Sequence, residues 1–260
     1  MAAGPYAAFL LGFMGAQVIK VESCSRMDIS RGRAKPTPDE YRNYPGGEPG
    51  EHPWNRSAHH VHRNVNKLSV PLDLGKPTGK ELFLELANIC DLLMENYRAS
   101  VMDRLGLGYE TVKQLNPRAV MCSVSAFGQT GPLSKLPGYD YIAQAYAGVT
   151  SMIGEPEGAP YFPMLGIGDV STGVHAVAAI ACALLYRERT GIGQHLDISL
   201  LDAYFHCHEM SVELYSASGG TIKPKRSGTQ HYALAPIGLF KGRETYIFIM
   251  ALAHQWVPFC

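Results

Sequence analysis

The sequence predicts an α/β fold: a mainly parallel sheet flanked by helices, with the beginning of a smaller α+β domain behind it. Two observations carry that prediction. From residue 67 to 218, short extended runs alternate with stretches of helical length, the pattern of strands joined by crossover helices. After a polar linker, GGTIKPKRSGTQ, the alternation gives way to a hairpin pattern. A length of 260 residues, 46% of them hydrophobic, suits a large domain over 1–218 and a second, over 219–260, that has barely begun.

Each element has its own signal. AGPYAAFLLGFMG reads as a tight turn with a helix starting near Pro5, a favoured first-turn residue, and AQVIKVES as an alternating strand. Together they read as the later part of a βαβ unit whose first strand is absent. Residues 24–65, rich in Pro, Gly, Arg and His, read as a long loop or lid. KLSVPLDL is extended, PTGKELFLELANI helical and CDLLMENY a strand. A single helix is expected over SVMDRLGLGYETVKQL, a strand over RAVMCSVSAFG and a single helix over YDYIAQAYAGVTSMIG. The run YFPMLGIGD is extended and leads into a long apolar helix; QHLDISL is a strand and DAYFHCHEMSVELYSAS one helix. APIGLFKGRETYIFIMAL reads as a hairpin turning at Lys241 to Glu244, and AHQWVPFC begins another helix. Both ends read as cut, so the expectation is a fragment of a longer protein.

Composition narrows the function classes. With 23 basic and 23 acidic side chains, no general field draws the chain to nucleic acid or an anionic membrane, so an anionic ligand needs local arginines. No apolar run is read as membrane-spanning and no signal segment opens the chain. The six cysteines are scattered without a C-x-x-C pair, as expected of reduced thiols in cytoplasm. Gly166, Gly168 and Gly173 are spaced G-x-G-x4-G and come late, so they do not form a dinucleotide fingerprint. Glu22 sits where a ribose-binding acid would, but the turn at Ala3-Gly4-Pro5 lacks the glycines that pyrophosphate approach requires. His59, His60 and His62 fall in the lid, and His206 and His208 diverge on a helix, so no metal site is expected.

Asp169 is the residue of interest. It stands between a glycine-punctuated run and an apolar helix, where aspartate is a preferred N-cap. It is also where the carboxyl end of a strand meets a helix start, the usual ligand crevice of open α/β sheets, and Gly166 and Gly168 clear side-chain bulk beside it. Cap and chemical group are both open on these residues. Asn96, Tyr97 and Arg98 follow a strand, with Arg104 about two turns further on; arginine's fork of donors suits phosphate oxygens. The loop GQTGPLSKLPGYDY carries Lys135, Tyr139 and Asp140, the last read as a first-turn acid or cap.

These stretches, taken in order, resemble the family III coenzyme A transferases, the group of formyl-CoA transferase and carnitine CoA-transferase. The resemblance rests on AGPYAAFLLGFMGAQVIKVE, NKLSVPLDL, MENYRASVMDRLGLGYETVKQLNP, SAFGQTGP with PGYDYIAQAYAG, GIGDVSTGVHA and RERTGIGQHLDISLLDA, and runs along nearly the whole chain. It implies a Rossmann-like large domain with a smaller one, and a homodimer of interlocked subunits. It implies Asp169 as nucleophile, and CoA contacts at Ala3, Leu72, Asn96, Tyr97, Arg104 and Tyr139; Arg98 is added from its local chemistry. The implied activity moves CoA from an acyl-CoA to a carboxylic acid, with no tightly bound cofactor and no metal. A 2-methylacyl-CoA racemase resembles the same family, but racemases carry histidine where this chain has Tyr139. An inactive remnant is the third reading.

Overall fold

The computed structural model describes residues 2–163 and 166–260; Met164 and Leu165, inside the expected extended run, lie outside the described residues. The N-terminal half comprises α1 (Ala3–Phe13), β1 (Val18–Glu22), α2 (Pro53–Arg56), α3 (Ala58–Asn64), β2 (Lys67–Pro71), α4 (Pro77–Ile89), β3 (Leu92–Glu95), α5 (Val101–Leu105), α6 (Tyr109–Leu115) and β4 (Val120–Ser125). There follow α7 (Asp140–Tyr146), α8 (Val149–Met152), α9 (Ile167–Thr190), β5 (His195–Ser199), α10 (Leu200–Cys207), α11 (Glu209–Ala217), β6 (Ile237–Lys241), β7 (Tyr246–Met250) and α12 (Trp256–Phe259).

The expected α/β architecture is present. Strands β3, β4 and β5 form a parallel sheet in that order, and β1 pairs in parallel with β2. β6 and β7 form the antiparallel hairpin expected near the C-terminal end. β4 is buried along its whole length, so both faces of its sheet are covered. On one face Cys122 and Val124 pack with Ala3 and Ala7 of α1, Ala176 and Ile180 of α9, and Leu200 and Tyr204 of α10. On the other, Met121 packs with Phe83, Met102 and Leu107, joined by Val21 of β1 and by Leu72, just after β2. Small residues on α1 and α9 let these helices approach. A Cβ on Gly173 would lie 2.8 Å from the Tyr6 ring and 3.0 Å from the Ala3 carbonyl oxygen.

Several expectations fail, each for a local reason. The stretch 100–115 is two helices, because the chain takes a left-handed turn at Gly106, φ 76°, after α5. The stretch 139–154 divides at Gly148, φ 81°, for the same reason. The third expected helix divides at His208, which leaves the helical region between α10 and α11. Residues 24–65 are not a bare loop: α2, α3 and two 3-10 turns lie within them. Charges dock this segment to β1. Arg31 donates to both oxygens of Glu22, and Lys20 pairs with Asp28 at 2.6 Å. Burial would raise the carboxyl of Glu22, but Arg31 and Lys20 hold it below its ordinary value. The acid at the end of β1 thus anchors the 24–65 segment. By length and composition α9 is apolar enough to cross a membrane, contrary to the sequence reading; in the fold it is a core helix with Thr172, Gly173, Ala176, Ile180 and Ala183 buried.

Candidate active site

Asp169 does not cap its own helix. α9 begins at Ile167, with Gly166 as its N-cap, so Asp169 is the third helical residue. Its Oδ1 instead accepts the backbone N–H groups of Ala3, at 2.9 Å, and Ala2, at 3.1 Å, at the N-terminus of α1. Two helix N-termini therefore converge on one carboxylate, the end of a helix that favours negative charge. The other oxygen, Oδ2, takes no hydrogen bond from the described residues. The carboxylate is thus fixed through one oxygen.

The cap of α9 is provided from elsewhere. Asp140, the first residue of α7, is 5% exposed; its Oδ1 lies beside Gly168, and its Oδ2 is buried without a hydrogen bond from the described residues. The Tyr204 hydroxyl, on α10, donates to Asp140 Oδ1 and accepts the Gly168 N–H at 3.2 Å. Burial pushes the Asp140 carboxyl above its ordinary range and the charge of Asp169 adds to this, while the Tyr204 hydrogen bond opposes it. Burial, together with Asp140 itself, also raises the Tyr204 phenol. A Cβ on Gly168 would lie 2.2 Å from Asp140 Oδ1 and 2.3 Å from the Tyr204 ring. The space that glycine leaves is therefore filled by protein side chains. Gly166 is exposed, and a Cβ there would meet nothing closer than 3.6 Å.

The structure brings some of the expected residues together and leaves others apart. Asn96 Oδ1 accepts the Gly4 N–H at 3.3 Å and its Nδ2 donates to the Val124 carbonyl at 2.7 Å, so it ties the start of α1 to β4. Ala3 reaches Asp169 directly. Leu72 follows β2 directly, half-buried in the second core, with its N–H bonded to the Glu22 carbonyl. Tyr97 and Arg98 follow β3; Tyr97 is half exposed, and the Arg98 guanidinium donates to the Lys135 carbonyl at 2.8 Å. That bond joins Arg98 to the loop bearing Tyr139, which is 57% exposed beside Asp140. Arg104 lies on α5 with an exposed side chain. No described bond links Leu72, Arg104 or the Tyr139 side chain to Asp169. Sequence reasoning missed Tyr204 and the role of Asp140; separated by 64 positions, they carry no spacing signal.

The fold is an α/β sheet with a carboxylate held at converging helix N-termini, the class of site that favours negative charge. The sequence matches the profile of CoA-transferase family III over residues 1–260, and the chain belongs to that family. Among curated relatives, the succinyl-CoA:glutarate CoA-transferase of Mus musculus is 35% identical over 253 residues, covering 97% of this chain and 54% of the relative. The succinate–glutarate CoA-transferase of Agrobacterium fabrum is 37% identical, over 95% of this chain and 59% of its own. The acetyl-CoA:oxalate CoA-transferase of Acetobacter aceti is 35% identical, over 99% and 62%. The chain thus spans little more than half the length of the curated relatives it matches. Among solved structures, a CaiB/BaiF family protein from Brucella suis superposes with a TM-score of 0.79 at 34% identity, over 96% of this chain and 62% of the other. Rv3272 from Mycobacterium tuberculosis gives 0.81 at 27% identity, over 100% and 64%.

Proposed function

We propose that the protein of which this chain is part transfers coenzyme A from an acyl-CoA to a free carboxylic acid, with Asp169 as the covalent nucleophile. The observation that carries this reading is the Asp169 carboxylate, held through Oδ1 by the Ala2 and Ala3 N–H groups with Oδ2 left without a bond among the described residues. The free oxygen attacks the thioester carbonyl; the C–S bond breaks, giving a mixed anhydride and CoA thiolate. The thiolate attacks the aspartyl carbonyl and releases the first acid, leaving an aspartyl–CoA thioester. An incoming carboxylate attacks that thioester and expels the thiolate. The thiolate then attacks the acyl carbonyl of the new anhydride, giving product acyl-CoA and restoring Asp169. Every step exchanges a carboxylate with a thiolate, so no net proton moves and no general base is required. The backbone donors that fix the carboxylate also face the charge that develops when its carbonyl is attacked.

The relatives named above act on succinyl-CoA, glutarate and oxalate by their names, so dicarboxylic acids are the acceptors to test first. Arg98 and Arg104, on the side of the sheet where the strands end, supply cations for the phosphates of CoA. A homodimer is part of the same reading. The test is CoA exchange between succinyl-CoA and glutarate by the full-length protein and its Asp169→Asn variant. Loss of at least a thousandfold in the variant supports the reading, and undiminished exchange refutes it.

A further inference from the structure

The buried Asp140–Tyr204 pair sits behind the nucleophile and touches nothing that reacts. Tyr204 is 1% exposed, yet its hydroxyl is fully engaged, donating to Asp140 and accepting from Gly168. Burying a tyrosine hydroxyl costs free energy unless it is hydrogen-bonded, and a plain core position is more simply filled by phenylalanine. The hydroxyl therefore has a task beyond packing, and its two partners indicate which one. One is the backbone of the residue before Asp169; the other is the Asp140 carboxylate, which lies beside that same residue.

An acid at the third position of a helix has a default conformation. It folds back toward the unpaired N–H groups of its own first turn. Asp169 occupies that position, and its default would withdraw the carboxylate from Ala2 and Ala3 toward the first turn of α9. In this chain the Tyr204 hydroxyl already takes the Gly168 N–H of that turn, and Asp140, on a third helix, holds the hydroxyl there. With the Gly168 N–H of its first turn taken, the Asp169 side chain turns to α1.

We infer that Asp140 and Tyr204 are positioning residues: the hydroxyl that Asp140 anchors outcompetes Asp169 for the N-terminus of α9 and so keeps its carboxylate directed at the acyl group. The inference rests on Asp169 being the nucleophile and deepens that reading. It assigns the loop bearing Tyr139 a second duty, since Asp140 follows immediately and ties the loop, through Tyr204, to the nucleophile's helix.

The test uses the full-length protein with succinyl-CoA and glutarate. The wild type is first incubated with succinyl-CoA alone and trapped with hydroxylamine, and the Asp169 peptide is weighed. An untrapped wild type refutes the nucleophile assignment itself, and the inference falls with it for that identifiable reason. With the adduct present, Tyr204→Phe removes one oxygen and little packing volume. It is expected to slow adduct formation and kcat about tenfold, the effect of about one hydrogen bond, while KM for succinyl-CoA stays within about twofold. Asp140→Asn keeps an oxygen that can accept from Tyr204 and is expected to lose less than Asp140→Ala. A merely structural pair would instead lower folded content, by circular dichroism, while the remaining folded enzyme kept its kcat. That result overturns the inference, as does a wild-type rate of adduct formation in Tyr204→Phe.

Discussion

Adding one methyl group at Gly168 separates the account from its simpler rival, in which the glycines clear room for the ligand. In Gly168→Ala the new carbon would stand 2.2 Å from Asp140 Oδ1 and 2.3 Å from the Tyr204 ring, where ordinary contact begins near 3.4 Å. Both neighbours are buried, so they or the start of α9 must retreat by roughly 1 Å. Overpacking of this kind costs about 1–3 kcal/mol, and alanine's better helix propensity returns about 1 kcal/mol. Net destabilisation should therefore be at most about 2 kcal/mol. A displacement of about 1 Å at a reacting group costs on the order of a hundredfold in rate. Gly166→Ala is the control: φ is −76° there and the nearest atom is 3.6 Å away, so no strain follows. Kinetics of succinyl-CoA:glutarate exchange by the full-length variants, with urea denaturation alongside, should give a hundredfold loss of kcat for Gly168→Ala and less than about twofold for Gly166→Ala. Equal losses at the two positions, or a larger loss at Gly166, would refute the reasoning and favour glycines that serve the ligand.

Two further outcomes follow from neighbouring contacts. Asn96 pairs Gly4 with Val124, so Asn96→Ala should leave a donor and an acceptor unmet and destabilise by about 1–3 kcal/mol in urea denaturation; Asn96→Asp, which sets a carboxylate oxygen against the Val124 carbonyl, should be worse than Ala. Lys67 donates to the carbonyls of Pro5 and Arg63, and burial, reinforced by Lys20, lowers its ammonium to about 8 from 10.5. Between those values the unfolded chain binds the proton and the folded chain does not, so folding is favoured as pH rises. The stability of the wild type relative to Lys67→Met should therefore increase from pH 8 to 10.5; a constant difference would show that the amine keeps its ordinary affinity for the proton.

Most of the architecture was legible because each strand and long helix announces itself locally. Pro77 starts α4 as its fixed φ dictates, and the Val-Ile-Lys-Val run is β1. The breaks at Gly106 and Gly148 were missed because apolar periodicity runs on through them, while left-handed φ is a property of the backbone that only hints at itself through glycine. Asp169 was found, but with the wrong structural partner. Local reasoning pairs an aspartate with the helix that follows it, whereas the donors it uses lie 166 and 167 positions away. Tyr204 was invisible for the same reason: in a helical stretch of mixed aromatic and polar residues, nothing distinguishes the tyrosine whose hydroxyl meets Asp140. Glu22 looked like a ligand acid and proved to be the anchor of the 24–65 segment, because its partner Arg31 is nine positions away in an irregular stretch.

The central claim is that one oxygen of Asp169 enters and leaves the reaction. In the sequence of steps above, the acceptor's attacking oxygen remains on Asp169 when the thiolate takes the new acyl group. A single turnover of full-length protein with succinyl-CoA and glutarate labelled with oxygen-18 in its carboxylates, followed by mass analysis of the Asp169 peptide, tests this directly. The account predicts one heavy oxygen in Asp169 and none in Asp140. Labelled glutaryl-CoA formed at the normal rate with an unlabelled Asp169 would contradict it.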